Sequence, residues 1–271
     1  SAVSAYWDPR SSWPLLSTHP ERRPRPLAEL HSLAETVNTA LQGQVVRVGP
    51  RAETRLPALP TGFAPLDAAT GLGGLPRGRL TELIGRRTAG RVSVVAGAMA
   101  AALAGPGAAG AWVDLSGAVD LAGLAAAGVD LRRLYLLRPR GVEAALAMTA
   151  QLTAGGQFGL VVLDDLDDLV AMEQAERLAA AAPPPALALR LGQLLRLLIP
   201  SLARTTTALV LLSGPEHHYR ALAHAAALRI AFTRVGLIRR GGVLRGWQTR
   251  ATVLKSPGLQ GGESGLEVWL P

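Results

Sequence analysis

The sequence contains no cysteine and few aromatic residues, and both shortages limit what the protein can be. Without cysteine there is no disulfide framework, no cysteine-based zinc site and no cysteine nucleophile. Aromatic residues make up only 4% of the chain, so the core must consist mainly of leucine, valine and alanine. Lysine is scarce as well, because Lys255 is the single lysine among 28 basic residues and the others are arginines.

The 271 residues are enough for one large domain or two small ones with a substantial core. The formal net charge is +8. Abundant arginine, alanine and glycine also fit a GC-rich genome, so this charge favours a polyanionic partner only weakly.

A long uncharged run, from Val92 to Val113, has the length needed to span a membrane. It is mostly alanine and glycine, which are weakly hydrophobic, and Pro106 between two glycines divides it. We therefore predict a buried helix, a turn and a buried strand, and no membrane segment. The N-terminal residues lack an apolar stretch of the signal-peptide type, so we expect a cytoplasmic protein.

The first 55 residues differ in composition from the rest of the chain. Prolines and arginines up to residue 25 indicate an irregular or disordered basic segment. Leucine spacing predicts a helix from Pro26 to Gln42, and Val45 to Val48 is typical of a short strand. We therefore divide the chain into an N-terminal arm, 1–55, and a core domain, 56–271.

From residue 80 onward, apolar strands alternate with helices, which predicts an α/β fold with a mainly parallel sheet covered on both faces. The last strands, from Leu228 onward, predict an antiparallel C-terminal extension of that sheet. The other predicted strands are Leu80–Ile84, Ala111–Leu115, Leu134–Leu137, Gly159–Leu163 and Ala208–Leu212. The predicted helices are Ser93–Leu103, Leu121–Gly128, Val142–Ala154, one from Ala171 towards Pro185, and Ala186–Ala203.

A glycine-containing loop, GRRTAGRV, joins the first of these strands to the first helix. A phosphate-binding loop reads G-x-x-x-x-G-K-[ST] in this setting, and Gly85 and Gly90 have its spacing. Arg91 stands at the lysine position, and Val92, which cannot ligate magnesium, stands at the hydroxyl position. The motif alone fits a degenerate phosphate loop that still attracts anions, or an ordinary tight turn with solvated arginines. The arginines concerned are Arg86, Arg87 and Arg91.

The segment from Thr61 to Arg91 resembles the RecA recombinase family, whose motif here reads TG-x-x-x-LD-x-x-x-G-x-GGLP-x-GR-x-x-E before the phosphate loop. The resemblance continues through AWVDLSGAVD and FGLVVLDDL to the last hairpin strands, and covers residues 30–271. It implies a RecA-like core without the separate C-terminal domain that RecA proteins carry. The matching positions are Thr61, Gly62, Leu66, Asp67, Gly71, Gly73, Gly74, Leu75, Pro76, Gly78, Arg79 and Glu82.

The resemblance also implies that parts of the family's ATPase site are missing. The glutamate that activates the attacking water aligns with Ser116, and the glutamine that senses the terminal phosphate aligns near Gly214. Asp164 remains at the Walker B carboxylate position. It is either a remnant of the nucleotide site or a carboxylate at a strand end that holds no metal. Losing a general base costs about 10²–10⁴ in rate, and losing an electrostatic stabiliser about 10²–10³. We therefore expect a protein that is not an enzyme, with no catalytic residue, no cofactor and no metal.

The region that corresponds to the family's second DNA-binding loop is short here. Phosphate and stacking contacts could make it a DNA contact, or it is an ordinary polar turn. Its candidate residues are His217, His218, Tyr219 and Arg220. The two histidines are adjacent and not four residues apart on a helix, so a metal site is not expected. The acidic run from Asp164 to Asp168 is expected to form a solvated loop at the carboxyl edge of the sheet.

A RecA-like chain of this length, with a degraded phosphate loop, resembles the ImuA family of RecA-like accessory proteins. That resemblance implies a non-hydrolysing adaptor of the SOS response that works in error-prone translesion synthesis. The implied partners are RecA, an ImuB-like Y-family polymerase homologue and a DnaE-type polymerase, with weak DNA binding in addition. Two other hypotheses stay open: a DNA-dependent ATPase or recombination mediator that uses Arg91 in place of lysine, and a RecA antagonist without a polymerase role. We further expect the N-terminal arm to contact RecA through its helix and short strand.

Overall fold

The computed structural model describes residues 56–180, 182, 185–216, 219–257 and 262–269. The helix and the strand expected in the N-terminal arm lie outside the described residues, and so do His217 and His218.

The strands of the described residues form a small ladder and one large mixed sheet. The ladder pairs β1 (Ala58–Leu59) with β2 (Leu75–Pro76). The sheet contains β3 (Leu80–Gly85), β4 (Ala109–Asp114), β5 (Leu134–Leu137), β6 (Phe158–Asp164), β7 (Ala208–Ser213), β8 (Leu228–Arg240), β9 (Val243–Lys255) and β10 (Glu263–Trp269). Its strand order is β10-β9-β8-β3-β7-β6-β4-β5. Strands β3 to β8 run parallel, and β9 and β10 extend the sheet antiparallel, so the predicted fold class is confirmed.

The helices of the described residues cover both faces of this sheet. They are α1 (Ala64–Ala69), α2 (Arg91–Leu103), α3 (Leu121–Ala126), α4 (Val142–Ala154), α5 (Leu166–Ala179), α6 (Leu187–Leu202) and α7 (Arg220–Ala225). Helices α1, α2 and α3 pack on one face, and α4 to α7 pack on the other. The predicted bounds of α4 and β5 agree with the structure at both ends.

Alternate residues of the central strands enter two separate hydrophobic clusters. Trp112 and Val162 lie in the cluster under α2, whereas Ala111, Val113 and Leu163 lie in the cluster under α4 to α6. Because both faces are covered, these strands are apolar throughout and show little alternation in sequence.

The uncharged run at 92–113 is divided between helix α2, a turn and strand β4, as its composition predicts. Pro106 lies in the turn. Among the residues that the structure describes, no helix is long and apolar enough to cross a membrane.

The segment from Thr61 to Gly78 holds the start of the core against helix α2. Asp67 in α1 accepts hydrogen bonds from Thr61, at 2.7 Å from its hydroxyl and 3.1 Å from its backbone nitrogen. A side chain at Gly97 of α2 would overlap the carbonyl oxygen of Thr61. A side chain at Gly74, whose φ is +142°, would likewise overlap the carbonyl oxygen of Leu59. These positions therefore serve close backbone packing.

Candidate functional site

The residues predicted to form the site lie at the carboxyl ends of four neighbouring parallel strands. Gly85 ends β3, Ser116 follows β4, Asp164 ends β6 and Gly214 follows β7. Ligand sites of open α/β sheets lie at this edge. The structure therefore places these four positions on the same edge of the sheet.

The glycine-spaced loop has the backbone form of an anion cradle. Gly85 (φ +154°) ends the strand, a short 3₁₀ turn follows from Arg87 to Ala89, and Gly90 (φ +93°) leads into helix α2. No described side chain caps the N-terminus of α2. Free amides at such a helix end attract negative charge.

Arg91, at the position of the phosphate-binding lysine, is buried and ion-paired. Only 1% of its surface is exposed, and its Nη2 donates to Oδ2 of Asp165, whose exposure is 0%. Within the described residues, the Nε and Nη1 atoms of Arg91 have no hydrogen-bond partner. The alternative of an ordinary turn with three solvated arginines is therefore wrong for Arg91.

Arg87, in the middle of the loop, links the same acidic segment to Ser116, in the turn after β4. Its Nη2 donates to Oδ2 of Asp168, and its Nε lies 3.7 Å from Oδ2 of Asp165. Its Nη1 donates to the hydroxyl of Ser116 at 3.3 Å. The hydroxyl that replaces the family's glutamate is thus bonded to the loop itself. Arg86 is exposed.

The acidic run at 164–168 is not a solvated loop, and that expectation is wrong. Asp165 caps helix α5 and accepts from the backbone nitrogen of Asp167 at 3.3 Å, and Asp167 and Asp168 lie in the first helical turn. Carboxylates are favoured at a helix N-terminus. The two arginines of the loop supply opposite charge, which allows Asp165 to be buried.

Asp164 is nearly buried, with 7% exposure, and accepts a hydrogen bond from Nε1 of Trp112 at 3.3 Å. Burial, and then the charge of Asp165, raise the pKa of Asp164 to about 6, against the opposing effect of Arg91. A carboxyl group with this pKa is mainly ionised at neutral pH and takes up its proton as the pH falls through about 6.

The remaining positions do not fit a magnesium-bound nucleotide. Val92 is half-buried and packs against the hydrophobic core. Gly214 donates its backbone N–H to Oδ1 of Asp167 at 3.2 Å, and a side chain there would overlap that carboxylate. The cation that would face a phosphate is paired, and the position of the metal-ligating hydroxyl is aliphatic.

The C-terminal strands close over the loop, a contact that sequence reasoning missed. The hydroxyl of Thr249 in β9 donates to the carbonyl of Ala89 at 3.0 Å. A Cβ at Gly90 would lie 3.0 Å from Cγ2 of Val268 and 3.6 Å from Nε1 of Trp247. The loop is therefore packed between the acidic segment and strands β9 and β10.

The candidate DNA contacts have no special geometry in the described residues. Tyr219 is half-buried, and burial raises the pKa of its hydroxyl. Arg220 is exposed at the start of α7. Lys255 donates to the carbonyls of Ala223 (3.2 Å) and His224 (2.8 Å), at the C-terminal end of α7.

The partners of the loop arginines were also missed from the sequence. Arg91 precedes a helix face whose next members, Val94 and Val95, are buried. A cation on that face needs a nearby anion. The acidic run begins at the end of β6, which lies two strands from β3 in the sheet. A cation on a buried helix face and an acidic run at the same edge of the sheet were together the sequence signal for this ion pair.

Comparison of the sequence with known proteins identifies the family. Residues 30–257 match the model of the family described as RecA N-terminal domain. The chain belongs to this family.

Curated relatives carry the name Protein RecA. The protein of Rubrobacter xylanophilus is 32% identical over 228 residues, which are 79% of this chain and 66% of the relative. The protein of Lactobacillus acidophilus is 31% identical over 228 residues, covering 79% and 62%. The protein of Frankia alni is 30% identical over 239 residues, covering 83% and 69%. In the first two, the chain spans less than two thirds of the relative's length.

Proposed function

We propose that this chain is a RecA-like accessory protein that does not hydrolyse ATP and that acts in the bacterial response to DNA damage. The observation that supports this most strongly is the buried pair of Arg91 with Asp165. Phosphoryl transfer needs a free cation at the phosphates, a metal ligand and a group that orients the attacking water. Here the cation is paired, the metal-ligand position is Val92 and the water-activating position is Ser116, which is bonded to Arg87.

Because these parts act together on one transition state, no single one of them maintains the rate when the others are absent. The proposal therefore rests on several independent losses in one place.

Within this role, the chain acts as an adaptor in error-prone translesion synthesis and binds and modulates RecA. Its partners are RecA, an ImuB-like Y-family polymerase homologue and a DnaE-type polymerase. The support is the resemblance to the ImuA family and the membership of the RecA family, which is related to DNA repair and recombination.

The hydrolysis part is tested by steady-state phosphate release from ATP and magnesium, with and without single-stranded DNA. We expect the rate of the full chain to equal that of its Asp164→Ala variant. A RecA protein assayed in parallel shows that the conditions support turnover. Release above the Asp164→Ala level would contradict the proposal and favour an ATPase that uses Arg91.

The partner part is tested by a pull-down with the tagged full chain from DNA-damaged cells, scored for RecA and for polymerase subunits. A variant without residues 1–50 is the matched control for the arm. We expect both classes of partner with the full chain and loss of RecA with the shortened one. Capture of neither class would refute the adaptor role, and equal RecA capture by both variants would exclude the arm as the contact.

A further inference from the structure

Helix α6 carries leucines on its outer face as well as on its inner face. On the outer face, Leu189 and Leu197 are 56% and 78% exposed. The outer positions of a surface helix are usually polar, because the inner stripe alone attaches the helix to the core. The leucines of the inner face are all buried in the core cluster under α4 to α6, and they are Leu187, Leu191, Leu195, Leu198 and Leu202. The core therefore does not account for the outer leucines.

The exposed residues of α6 lie along one side of the helix. At 3.6 residues per turn, positions three, four or seven apart share a face. We call this face, which extends about 17 Å at about 1.5 Å per residue, the outer stripe. Its members are Leu189, Gln193, Arg196, Leu197 and Pro200, all exposed. Three of the five are apolar and one is a cation.

The surroundings of the outer stripe lack acidic residues. No aspartate or glutamate occurs from 177 to 215, a range that includes all of α6 and the turn after it. Arg190 of α6 is paired with Glu176 at 3.2 Å. Arg196 and Arg204 are exposed, and within the described residues neither forms an ion pair. Their charge is therefore uncompensated there.

Two further arginines lie beside the C-terminal end of α6. A Cβ at Gly78 would lie 2.7 Å from the carbonyl oxygen of Thr205, so the two segments touch. Arg77 donates to the carbonyl of Thr206 at 3.4 Å, and Arg79 donates to the carbonyl of Gly78 at 2.8 Å. Both arginines are half-buried, and no carboxylate of the described ranges pairs with them. The outer stripe therefore ends at a group of arginines.

We propose that the outer stripe of α6 binds an acidic amphipathic helix of another protein. The apolar side chains of such a helix recur at every third or fourth position and pack on the exposed leucines. Its carboxylates pair with the arginines at the end of the stripe, since a guanidinium group can donate two parallel hydrogen bonds to a carboxylate. The inference does not depend on whether the phosphate loop hydrolyses ATP, so it stands apart from the proposed function.

Other occupants fit the outer stripe less well. A second copy of the chain would place arginines against arginines, because the stripe carries no carboxylate. Nucleic acid contacts would be made mainly through phosphates, which pair with the arginines but leave the leucines uncovered. A lipid surface would need the broad apolar face of the helix, and the inner leucines are already held by the core.

The test starts with a random peptide library displayed on phage and selected against the full chain. We expect the selected peptides to be acidic, with apolar residues three and four positions apart. The stripe variant is Leu189→Ser/Leu197→Ser. Its matched control, Leu178→Ser/Leu254→Ser, changes leucines that are 89% and 51% exposed elsewhere. Because all four side chains are exposed, the variants should fold, and thermal melting verifies this.

Fluorescence anisotropy with the labelled consensus peptide then measures affinity. We expect the stripe variant to lose at least about tenfold, and its control to bind as the unmodified chain does. Arg196→Gln/Arg204→Gln should weaken binding and reduce its dependence on salt. Arg234→Gln/Arg245→Gln, which removes the same charge from exposed positions of β8 and β9, should change neither.

Three results would overturn the proposal. The first is a selection that enriches no peptide, or only neutral or basic ones. The second is equal affinity of the consensus peptide for the stripe variant and the unmodified chain. The third is a different occupant: self-association, or binding to anionic vesicles or to DNA, that the stripe variant loses while peptide binding stays unchanged.

Discussion

Two regions of this molecule correspond to RecA motifs, and their residues make different kinds of contact. In the first, Thr61–Glu82, the matching residues make close backbone contacts and buried hydrogen bonds, such as that of Ser213 to Glu82 at 3.0 Å. In the second, the phosphate loop with its facing acidic segment, the backbone form is present but the cations are paired internally. The residues shared with RecA in the first region therefore indicate a shared fold, and the changes in the second region concern function.

The largest effect should come from breaking the buried pair in the loop region. Asp165→Ala leaves Arg91 buried without its anion, which typically costs about 3–5 kcal/mol of unfolding free energy. Urea denaturation measures the loss. The double variant Arg91→Met/Asp165→Leu removes both charges and should recover most of it. If the single variant were as stable as the double one, the pair would have no structural role.

Where helix α2 meets the first region, Gly97→Ala should cost about 3 kcal/mol or more, since the new Cβ overlaps the carbonyl oxygen of Thr61 and the backbone must move. Gly105→Ala is the matched control, because the nearest atom to its Cβ would be 3.9 Å away. Chemical denaturation of both variants compares them. Similar stabilities would show that the close approach of α2 to Thr61 does not matter.

Asp164 gives the loop region a specific pH dependence. In the folded protein its pKa is about 6, above the ordinary value of 3.8, so the folded state binds the proton more tightly. Its contribution to the free energy of unfolding is therefore full below about pH 4 and falls as pH rises to about 6. We expect Asp164→Asn to abolish that fall and to raise stability at pH 7 by about 1–3 kcal/mol. Denaturation at a series of pH values measures both, and an unchanged pH profile would contradict the assignment.

The smallest effect is expected at Arg87, whose ion pairs are partly exposed. Arg87→Gln should cost less than about 1 kcal/mol, because solvent screens such pairs. Urea denaturation of Arg87→Gln and Asp165→Ala side by side compares an exposed ion pair with a buried one. The comparison shows whether burial of the pair, and not only its charge, stabilises the loop. A loss at Arg87 as large as that at Asp165 would remove the distinction.

Much of the fold follows from the sequence, because apolar strands and helices with clear periodicity alternate from Leu80 to Ser213. The bounds of α4 were predicted fully, and the division of the run at 92–113 was predicted from Pro106 and its glycines. The sequence gives no clear end for strand β8, which continues to Arg240, since its second half pairs with β9 and has mostly exposed side chains.

The site was harder to predict than the fold. The positions at the sheet edge were found from the motif and the family, but the partners of its charges were not. Asp165 and Asp168 lie more than seventy residues from the loop in sequence, and no local pattern links them to Arg91 and Arg87. The packing of Thr249 against the loop depends likewise on how the last strands fold back.

In the proposed role, the arginines of the phosphate loop are paired with the chain's own carboxylates and the loop does not take a magnesium-bound nucleotide. Thermal melting of the full chain with ATP, with and without magnesium, tests it most directly, because a ligand that binds only the folded state raises the melting temperature. We expect no magnesium-dependent rise, and at most a weak stabilisation by ATP or phosphate that is the same without the metal. A clear magnesium-dependent rise in melting temperature with ATP would contradict the account.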